Sequence, residues 1–394
     1  MPISLKTVKD AAVAKGAVAP AALSLGSIKQ AILDANGVYN QPTLSLAELQ
    51  AAVSTLSGQV IPPGALDLGN GEIETSDGSR WVWFPKYYYK INPDGTGGMV
   101  VYTESEAAAN GCTLHPAFVV NGVEIPGFYV AKYQASQPDA TASSKGSLGA
   151  NPTLTPGNNA HACRVRGGVV PWAEITFANA KVACENMNGV LGLTNKVHLM
   201  RNIEWGALAL WCLIVKGPKF PRGNNDSGKD VDYPGEGNGT ADPTQTGRTL
   251  TGTGPATWYH NGASTGIADL NGNVWEFVDG IEVDASGNFR IFDYAAASPA
   301  WQTISSGVTK GSNNRILTLA QNGILKGQAI NATADTTGAD VFGKDYNYIP
   351  TTGPNCFIRG GSYTSGTNAG VFALNNTSLT YAHTNIGFRP ALHV

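Results

Sequence analysis

The stretch from Arg359 to Val394, RGGSYTSGTNAGVFALNNTSLTYAHTNIGFRPALHV, constrains the fold more than any other part of the chain. Its two ends, Arg359-Gly360-Gly361-Ser362 and Asn385-Ile386-Gly387-Phe388-Arg389-Pro390, read as structure. Paired glycines admit backbone conformations closed to other residues, and Ile386, Phe388 and Leu392 alternate as in a half-buried strand. Between these ends the chain is nearly free of charge and rich in Ser, Thr, Asn, Tyr and His. Small polar residues with isolated tyrosines are the composition from which antibody loops obtain adaptable hydrogen bonds and rigid aromatic anchors. The plain alternative is a solvated polar loop between two core strands.

Composition sets the broad class. A chain of 394 residues with 42% hydrophobic content can bury a sizeable core over two or three domains. Charged residues are only 14% and the net charge is −3, so the chain lacks the basic field that nucleic acid requires. Forty-eight glycines and 22 prolines, with many short apolar runs, indicate a loop-rich, mainly β protein. Five cysteines, Cys112, Cys163, Cys184, Cys212 and Cys356, show no CxxC spacing and read as buried thiols. The first residues carry lysines inside a short Ala/Val pattern, without the continuous apolar core of a signal peptide, and no run of eighteen apolar residues follows. The expectation is synthesis in the cytoplasm with no membrane insertion.

Residues 1–60 contain a repeat of about twenty residues. Aligning Ser4, Ser24 and Ser45 superposes Val8, Ile28 and Leu49, and then Gly16, Gly37 and Gly58. Each unit opens on a helix-capping residue and closes on glycine, so three short helices are expected. Helices of that length are marginal alone, which leaves two readings: a small helical cap, or a module that joins subunits or mounts the chain on a larger assembly. Pro62-Pro63-Gly64 marks the break after it. Residues 61–126 read as β-rich lead-in strands, Trp81–Tyr89, Met99–Tyr102 and Ala117–Val120, and Gly127–Gln134 opens a further domain extending to residue 394. Within it, a helix through Ala180, Ala183 and Met187 is closed by Asn188-Gly189, and a second carries Ile203, Ala207, Leu210 and Trp211 on one face. Residues 216–262 form a long loop dominated by Gly, Asn, Pro, Asp and Thr, of the kind that is functional or pinned by its own contacts.

Two further motifs precede the terminal stretch: His198-Leu199-Met200-Arg201-Asn202-Ile203-Glu204-Trp205, and Asp269-Leu270-Asn271-Gly272-Asn273-Val274-Trp275-Glu276-Phe277. Together with RGGS and GFR, in that order, they resemble the formylglycine-generating enzyme (sulfatase-modifying factor) branch of the C-type lectin fold, from about Gly127 to the C-terminus. Within that branch, GTNAGVFALN followed by NIGFRPAL resembles the variable proteins of diversity-generating retroelements, in which adenine-directed mutagenesis diversifies a ligand-binding face. The fold class expected is therefore α+β, a loop-rich C-type lectin fold of this subtype preceded by a small helical region. One departure stands out. Arg201 occupies the place of a threonine that caps the second helix in the family, and Asn202 is expected to substitute for it.

The resemblance also says what chemistry is missing. The oxidising enzymes of the family use two cysteines a few residues past RGGS, and Ser365 and Gly370 stand at the matching positions. Neither can form a thiolate. The six histidines, His115, His161, His198, His260, His383 and His393, show no HxxxH or HxxH spacing, so no metal site is expected from sequence. By resemblance, Asn273 and Glu276 are candidates for a structural calcium ion, the one cofactor considered. The residues expected to form the variable face are Tyr363, Thr364, Ser365, Thr367, Asn375, Asn376, Thr377, Ser378, Tyr381, His383 and Thr384, within a variable segment 359–389. Gly366, Gly370, Val371, Phe372, Ala373 and Leu374 would be scaffold, Tyr363 and Tyr381 the principal anchors, and Trp258, Tyr259 and His260 a border or ordinary core.

The function expected is a non-enzymatic, receptor-binding protein for phage or bacterial attachment. It would sit on a phage tail or, alternatively, in the bacterial cytoplasm or on the cell surface. Its C-terminal face would bind a host-surface protein or glycan. Its N-terminal region would contact a virion or other subunits, as a monomer or a trimer. Two alternatives stay open: a purely structural virion component, and an enzyme of the same superfamily with a site drawn from Asp226, His260 and Asp269.

Overall fold

A computed structural model of the chain describes residues 58–92, 97–320, 323–335 and 342–394. The repeat in residues 1–60, expected to be helical, falls outside these residues except for its last three positions. Twenty strands follow one another: β1 Leu66–Gly69, β2 Glu72–Glu74, β3 Arg80–Pro85, β4 Tyr88–Ile91, β5 Gly98–Val101, β6 Thr113–Leu114, β7 Val119–Val120, β8 Val123–Glu124, β9 Gly127–Ala131, β10 Val197–Leu199, β11 Trp275–Val283, β12 Phe289–Phe292, β13 Trp301–Thr303, β14 Asn314–Leu319, β15 Asn331–Asp335, β16 Tyr346–Asn347, β17 Asn355–Gly360, β18 Gly370–Ser378, β19 Ile386–Phe388 and β20 Pro390–Leu392. Three α-helices accompany them among the described residues: α1 Glu104–Asn110, α2 Phe177–Leu191 and α3 Asn202–Lys216. The protein is mainly β with few helices, and none of the described helices is long and apolar enough to cross a membrane.

Two sheets carry the architecture. One runs β1-β2-β3-β9-β20-β10, and the other runs β13-β12-β11-β17-β18-β16-β14-β15 with β19 beside β11. The lead-in strands belong to the first of these: β3 pairs with β9 from Trp81↔Ala131 to Pro85↔Gly127. Val82, Phe84 and Tyr87 also share a core with Met200, Trp205 and Leu374. Segments 61–126 and 127–394 therefore share a sheet and a core. A second core gathers Trp81, Trp172, Met187, Phe277, Ile358 and Phe388.

Several local expectations shift, each for a physical reason. α2 is capped by Thr176 and runs through Asn188-Gly189 to a left-handed Gly192. Gly189 lies inside the helix, and the position needs glycine because Asn159 packs where a side chain would sit, 2.3 Å from a Cβ built there. Ala117–Val120 is only half strand: His115 caps a 3-10 turn at Pro116–Phe118, and β7 begins after it. The Trp81–Tyr89 run divides into β3 and β4. Asn202 does not cap α3. It is the first helical residue, Arg201 is the extended residue before it, and the Arg201 N–H donates to Glu204 Oε2 at 2.8 Å.

Candidate ligand-binding face

The backbone that carries the C-terminal segment is held by two buried arginines. Arg359, at the end of β17, donates to Asn202 Oδ1 through Nε (2.9 Å) and Nη2 (2.8 Å), and also to the carbonyls of Gln328 and Ala329. Burial lowers its pKa to about 9. Arg389, after β19, makes a two-pronged ion pair with Glu276, at 2.9 and 2.8 Å, and donates to the carbonyls of Ala131 and Ala268. Asn202 is freed from capping because it serves Arg359 instead. Paired, hydrogen-bonded burial of this kind is what a charge needs away from water.

The central motif completes the frame. Asn273, with left-handed backbone, accepts from the Thr249 N–H at 2.9 Å and donates to Gln134 Oε1 and the Thr249 carbonyl. Gln134 donates in turn to Glu276 Oε1. Both Glu276 oxygens thus accept from donors, Arg389 on each and Gln134 on Oε1. Asn273 and Glu276 do not fit calcium; they fit a hydrogen-bonded strut between the long loop and β11.

On this frame β17 and β18 run antiparallel, from Asn355↔Ser378 to Arg359↔Leu374, and β19 lies parallel to β11. Val371, Phe372, Ala373 and Leu374 are buried, as is Gly370, while Gly366 is half-buried. Polar residues emerge at the two ends of β18. The first is the turn Ser362–Ala369, entered through left-handed Gly360 and Gly361. A Cβ on Gly361 would lie 2.4 Å from that of Ala369, so only glycine lets the turn close. Thr364, Thr367 and Asn368 are exposed here, whereas Ser365 is half-buried and accepts from the Ser362 N–H.

Tyr363 is not on the surface. It is 6% exposed, its N–H donates to the Asn273 carbonyl, and its carbonyl accepts from Ser227. Its ring lies against Gly247, 2.9 Å from a Cβ built there. The long loop folds over this tyrosine, which corrects its assignment as an anchor for ligand.

The second group of polar residues follows β18. Ser378, Leu379, Thr380, Tyr381 and His383 are exposed, and Tyr381 is 46% exposed. The Tyr381 and His383 rings stack at 5.7 Å with planes 8° apart, and His383 Nδ1 lies 2.6 Å from Asn385 Oδ1. The turn is tied to the body by its main chain: the Glu174 N–H donates to the His383 carbonyl, and Arg248 Nη1 to the Thr384 carbonyl. Thr384 is accordingly half-buried.

Between the ends, Asn375, Asn376 and Thr377 are half-buried and do not share one face. Asn375 lies opposite Ile358 and Thr377 opposite Cys356, both in the second core, while Asn376 lies opposite Phe357 in the first. Strand alternation sends them to opposite sides of the sheet. The nine residues of β18 span roughly 30 Å at strand spacing, so the exposed residues form two patches. Asn368, Leu379 and Thr380 belong to them and were missed. Asn368 sits in the same Gly-Thr-Asn run as Thr367, and its Oδ1 accepts from Arg315 at 3.2 Å.

The first patch borders a narrow cleft of about 440 Å³, counting the solvent at its mouth, lined by Phe220, Tyr233, Asp230, Asp345, Thr367 and Phe372 among others. Asp230 accepts from the N–H groups of Gly223, Asp232 and Tyr233, yet burial still raises its pKa. Asp345 accepts from the Phe372 N–H at 2.8 Å, and burial pushes its carboxyl well above the usual range. Arg222 stacks over Tyr233 at 3.4 Å on the loop side.

The three residues of the catalytic alternative stand apart in their contacts. Asp226 pairs with Lys229 at the surface. His260 is buried, accepts from the Ile267 N–H, and is held neutral by burial, with a pKa near 3. Asp269 is buried, with its pKa raised to about 6 by desolvation, and accepts from the Gly252 N–H. Trp258, Tyr259 and His260 are buried, as core residues are.

No family model matches the chain, and no curated protein matches it. Among solved structures, it is similar to PvdO from Pseudomonas aeruginosa (13% identity, 85% of this chain and 100% of that one, TM-score 0.38). It is also similar to Treponema denticola variable protein 1 (11%, 84% and 98%, TM-score 0.32) and to the Major Tropism Determinant U1 variant (13%, 80% and 63%, TM-score 0.28). Likenesses this remote leave the functional reading to the residues themselves.

Proposed function

We propose that this chain is a non-catalytic ligand-binding protein, a retroelement-type variable protein on a C-type lectin frame of the formylglycine-generating-enzyme subtype, that attaches a phage or bacterium to host cells. The observation that carries this reading is the division of the C-terminal segment. Arg359, Gly360, Val371–Leu374 and Ile386–Arg389 are buried and internally bonded, while Thr364, Thr367, Ser378, Tyr381 and His383 face water. Side chains of the second set are free to change without disturbing the first. Tyr381 over His383 supplies a rigid aromatic anchor, the residue type that dominates interface energetics. Ser365 and Gly370, where the enzymes that the sequence resembles carry thiols, support the non-catalytic part of the reading.

The flanking DNA tests the family assignment. A reverse transcriptase gene and a near-copy of the C-terminal coding segment, differing from it at adenines, is the expected result; their absence overturns the retroelement reading. Binding is tested with a display library varied at Thr364, Thr367, Ser378, Tyr381 and His383. Members should fold with unchanged melting temperature and differ in adsorption to bacterial cells. Loss of folding across the library would show that these positions are structural.

A further inference from the structure

We infer that His198, Glu204 and His393 form a site for a divalent transition metal of the zinc class, remote from the C-terminal patches in its elements and independent of the reading above. The three residues come from three elements, which is why no motif spacing announces them. β10 pairs antiparallel with β20, with His198 opposite Ala391, and the His393 N–H extends the ladder to the Lys196 carbonyl. Strand alternation then places both imidazoles on one side of the sheet. The first turn of α3 delivers Glu204 to that side.

The donor atoms converge. His198 Nε2 lies 2.9 Å and His393 Nε2 2.8 Å from the same oxygen, Glu204 Oε1, and the donor atoms of the three residues all lie within 4.8 Å of one another. The imidazole rings meet edge to face at 4.6 Å. Glu204 Oε2 is taken by the Arg201 N–H, so the carboxylate is oriented with its other oxygen toward the rings. His198 Nδ1 lies 3.2 Å from the Lys196 carbonyl. With Nε2 on a metal, Nδ1 carries the proton and donates to that carbonyl, the second bond that orients ligating histidines.

Chemistry selects the ion. Two imidazoles and one carboxylate suit zinc and its neighbours, with solvent in the fourth position, whereas calcium and magnesium need oxygen donors. Glu204 is buried, but the histidines are partly exposed, so the ion has an entry path. Coordination at 2.0–2.1 Å would open the two nitrogen–oxygen separations to about 3.4 Å, a movement of roughly half an ångström. Arg201 Nη1, 3.9 Å from Glu204 Oε1, opposes a cation, and its guanidinium is drawn aside over the Tyr294 ring at 4.0 Å. A bound ion would lock β10, β20 and α3 together.

The test uses the full chain, stripped with chelator and titrated with Zn²⁺, followed by metal analysis after desalting. One zinc per chain is expected, with a raised melting temperature and no response to Mg²⁺. His198→Gln and His393→Gln should each weaken zinc binding by more than the roughly 10- to 100-fold that loss of an outer partner costs. His383→Gln should leave it unchanged. Substoichiometric zinc, or zinc binding indifferent to His198→Gln and His393→Gln, overturns the site and leaves a hydrogen-bonded cluster. Should those variants fail to fold, the wild-type chain loaded with Co²⁺ decides: intense visible bands of four-coordinate cobalt support the site, and the pale spectrum of the hydrated ion overturns it.

Discussion

Tyr363 and Tyr381 stand in the same kind of sequence and meet opposite fates. Each lies in an uncharged, Ser- and Thr-rich run beside one end of β18, yet Tyr363 is 6% exposed and Tyr381 46%. The difference lies in what arrives from elsewhere. Ser227, Gly247 and Asn273 close over the first tyrosine, while the second turn is tied down through backbone carbonyls and leaves Tyr381 and His383 exposed. A polar, tyrosine-bearing segment thus divides into a seated end and a presented end. Its composition does not tell them apart.

The largest expected effect concerns the frame on which both ends depend. Arg389→Met leaves Glu276 buried with its ionic partner gone, and breaking a buried pair from one side costs about 3–5 kcal/mol. Arg359 differs, because its bonding partners are a side-chain amide and backbone carbonyls. Arg359→Met should cost less than Arg389→Met, with the order read from urea unfolding midpoints. The reverse order would mean that the neutral cradle around Arg359, and not the ion pair, holds the segment.

Next comes the seated end itself. Tyr363→Ala should cost about 3 kcal/mol, as large aromatic truncations in a core do, and Gly247, which packs on the ring, cannot fill the space. A cost below about 0.5 kcal/mol, the surface range, would return Tyr363 to the exposed set.

A smaller effect is pH-dependent and belongs to the same end. Asp345 accepts from the Phe372 N–H in β18, and a Cβ on Gly370 would fall 2.2 Å from its carboxylate. Burial raises its folded pKa above the unfolded value, so the folded state holds the proton more tightly. Stability from this group is complete below the unfolded pKa, near 4, and is lost as pH rises toward and through the folded pKa. Asp345→Asn keeps an acceptor for Phe372 and should flatten that decline in denaturation midpoints measured from pH 4 upward. An unchanged slope would place the titration elsewhere.

Much of the frame was legible and the division between the ends was not, for a physical reason. Glycine pairs and alternating apolar residues act locally, so strands β9 and β19 followed from the sequence. What failed was tertiary. Asn188-Gly189 reads as a helix stop, but α2 runs on to Gly192 and glycine at 189 answers to the close approach of Asn159. Asn202 reads as a cap, but Arg359, far along the chain, claims its oxygen. Asn273 and Glu276 read as oxygen ligands until Arg389 and Thr249 take those oxygens. The zinc-class cluster shows the same limit, since His198 and His393 become neighbours only through strand pairing.

The smallest expected effect is the most discriminating. Tyr381→Ala with His383→Ala removes a stacked, exposed pair in a turn tied to the body through the backbone carbonyls of His383, Thr384 and Asn385. Because those carbonyls persist in the variant, stability should change by no more than about 0.5 kcal/mol, the range of surface substitutions. Loss of an aromatic anchor at an interface costs about 2 kcal/mol or more, which is a fall in adsorption of roughly 30-fold. The double variant should therefore melt with the parent while its adsorption to cells collapses. Adsorption that survives would move the ligand to Thr364, Thr367 and the cleft at the other end of β18, and a lowered melting temperature would make the second turn structural like the first.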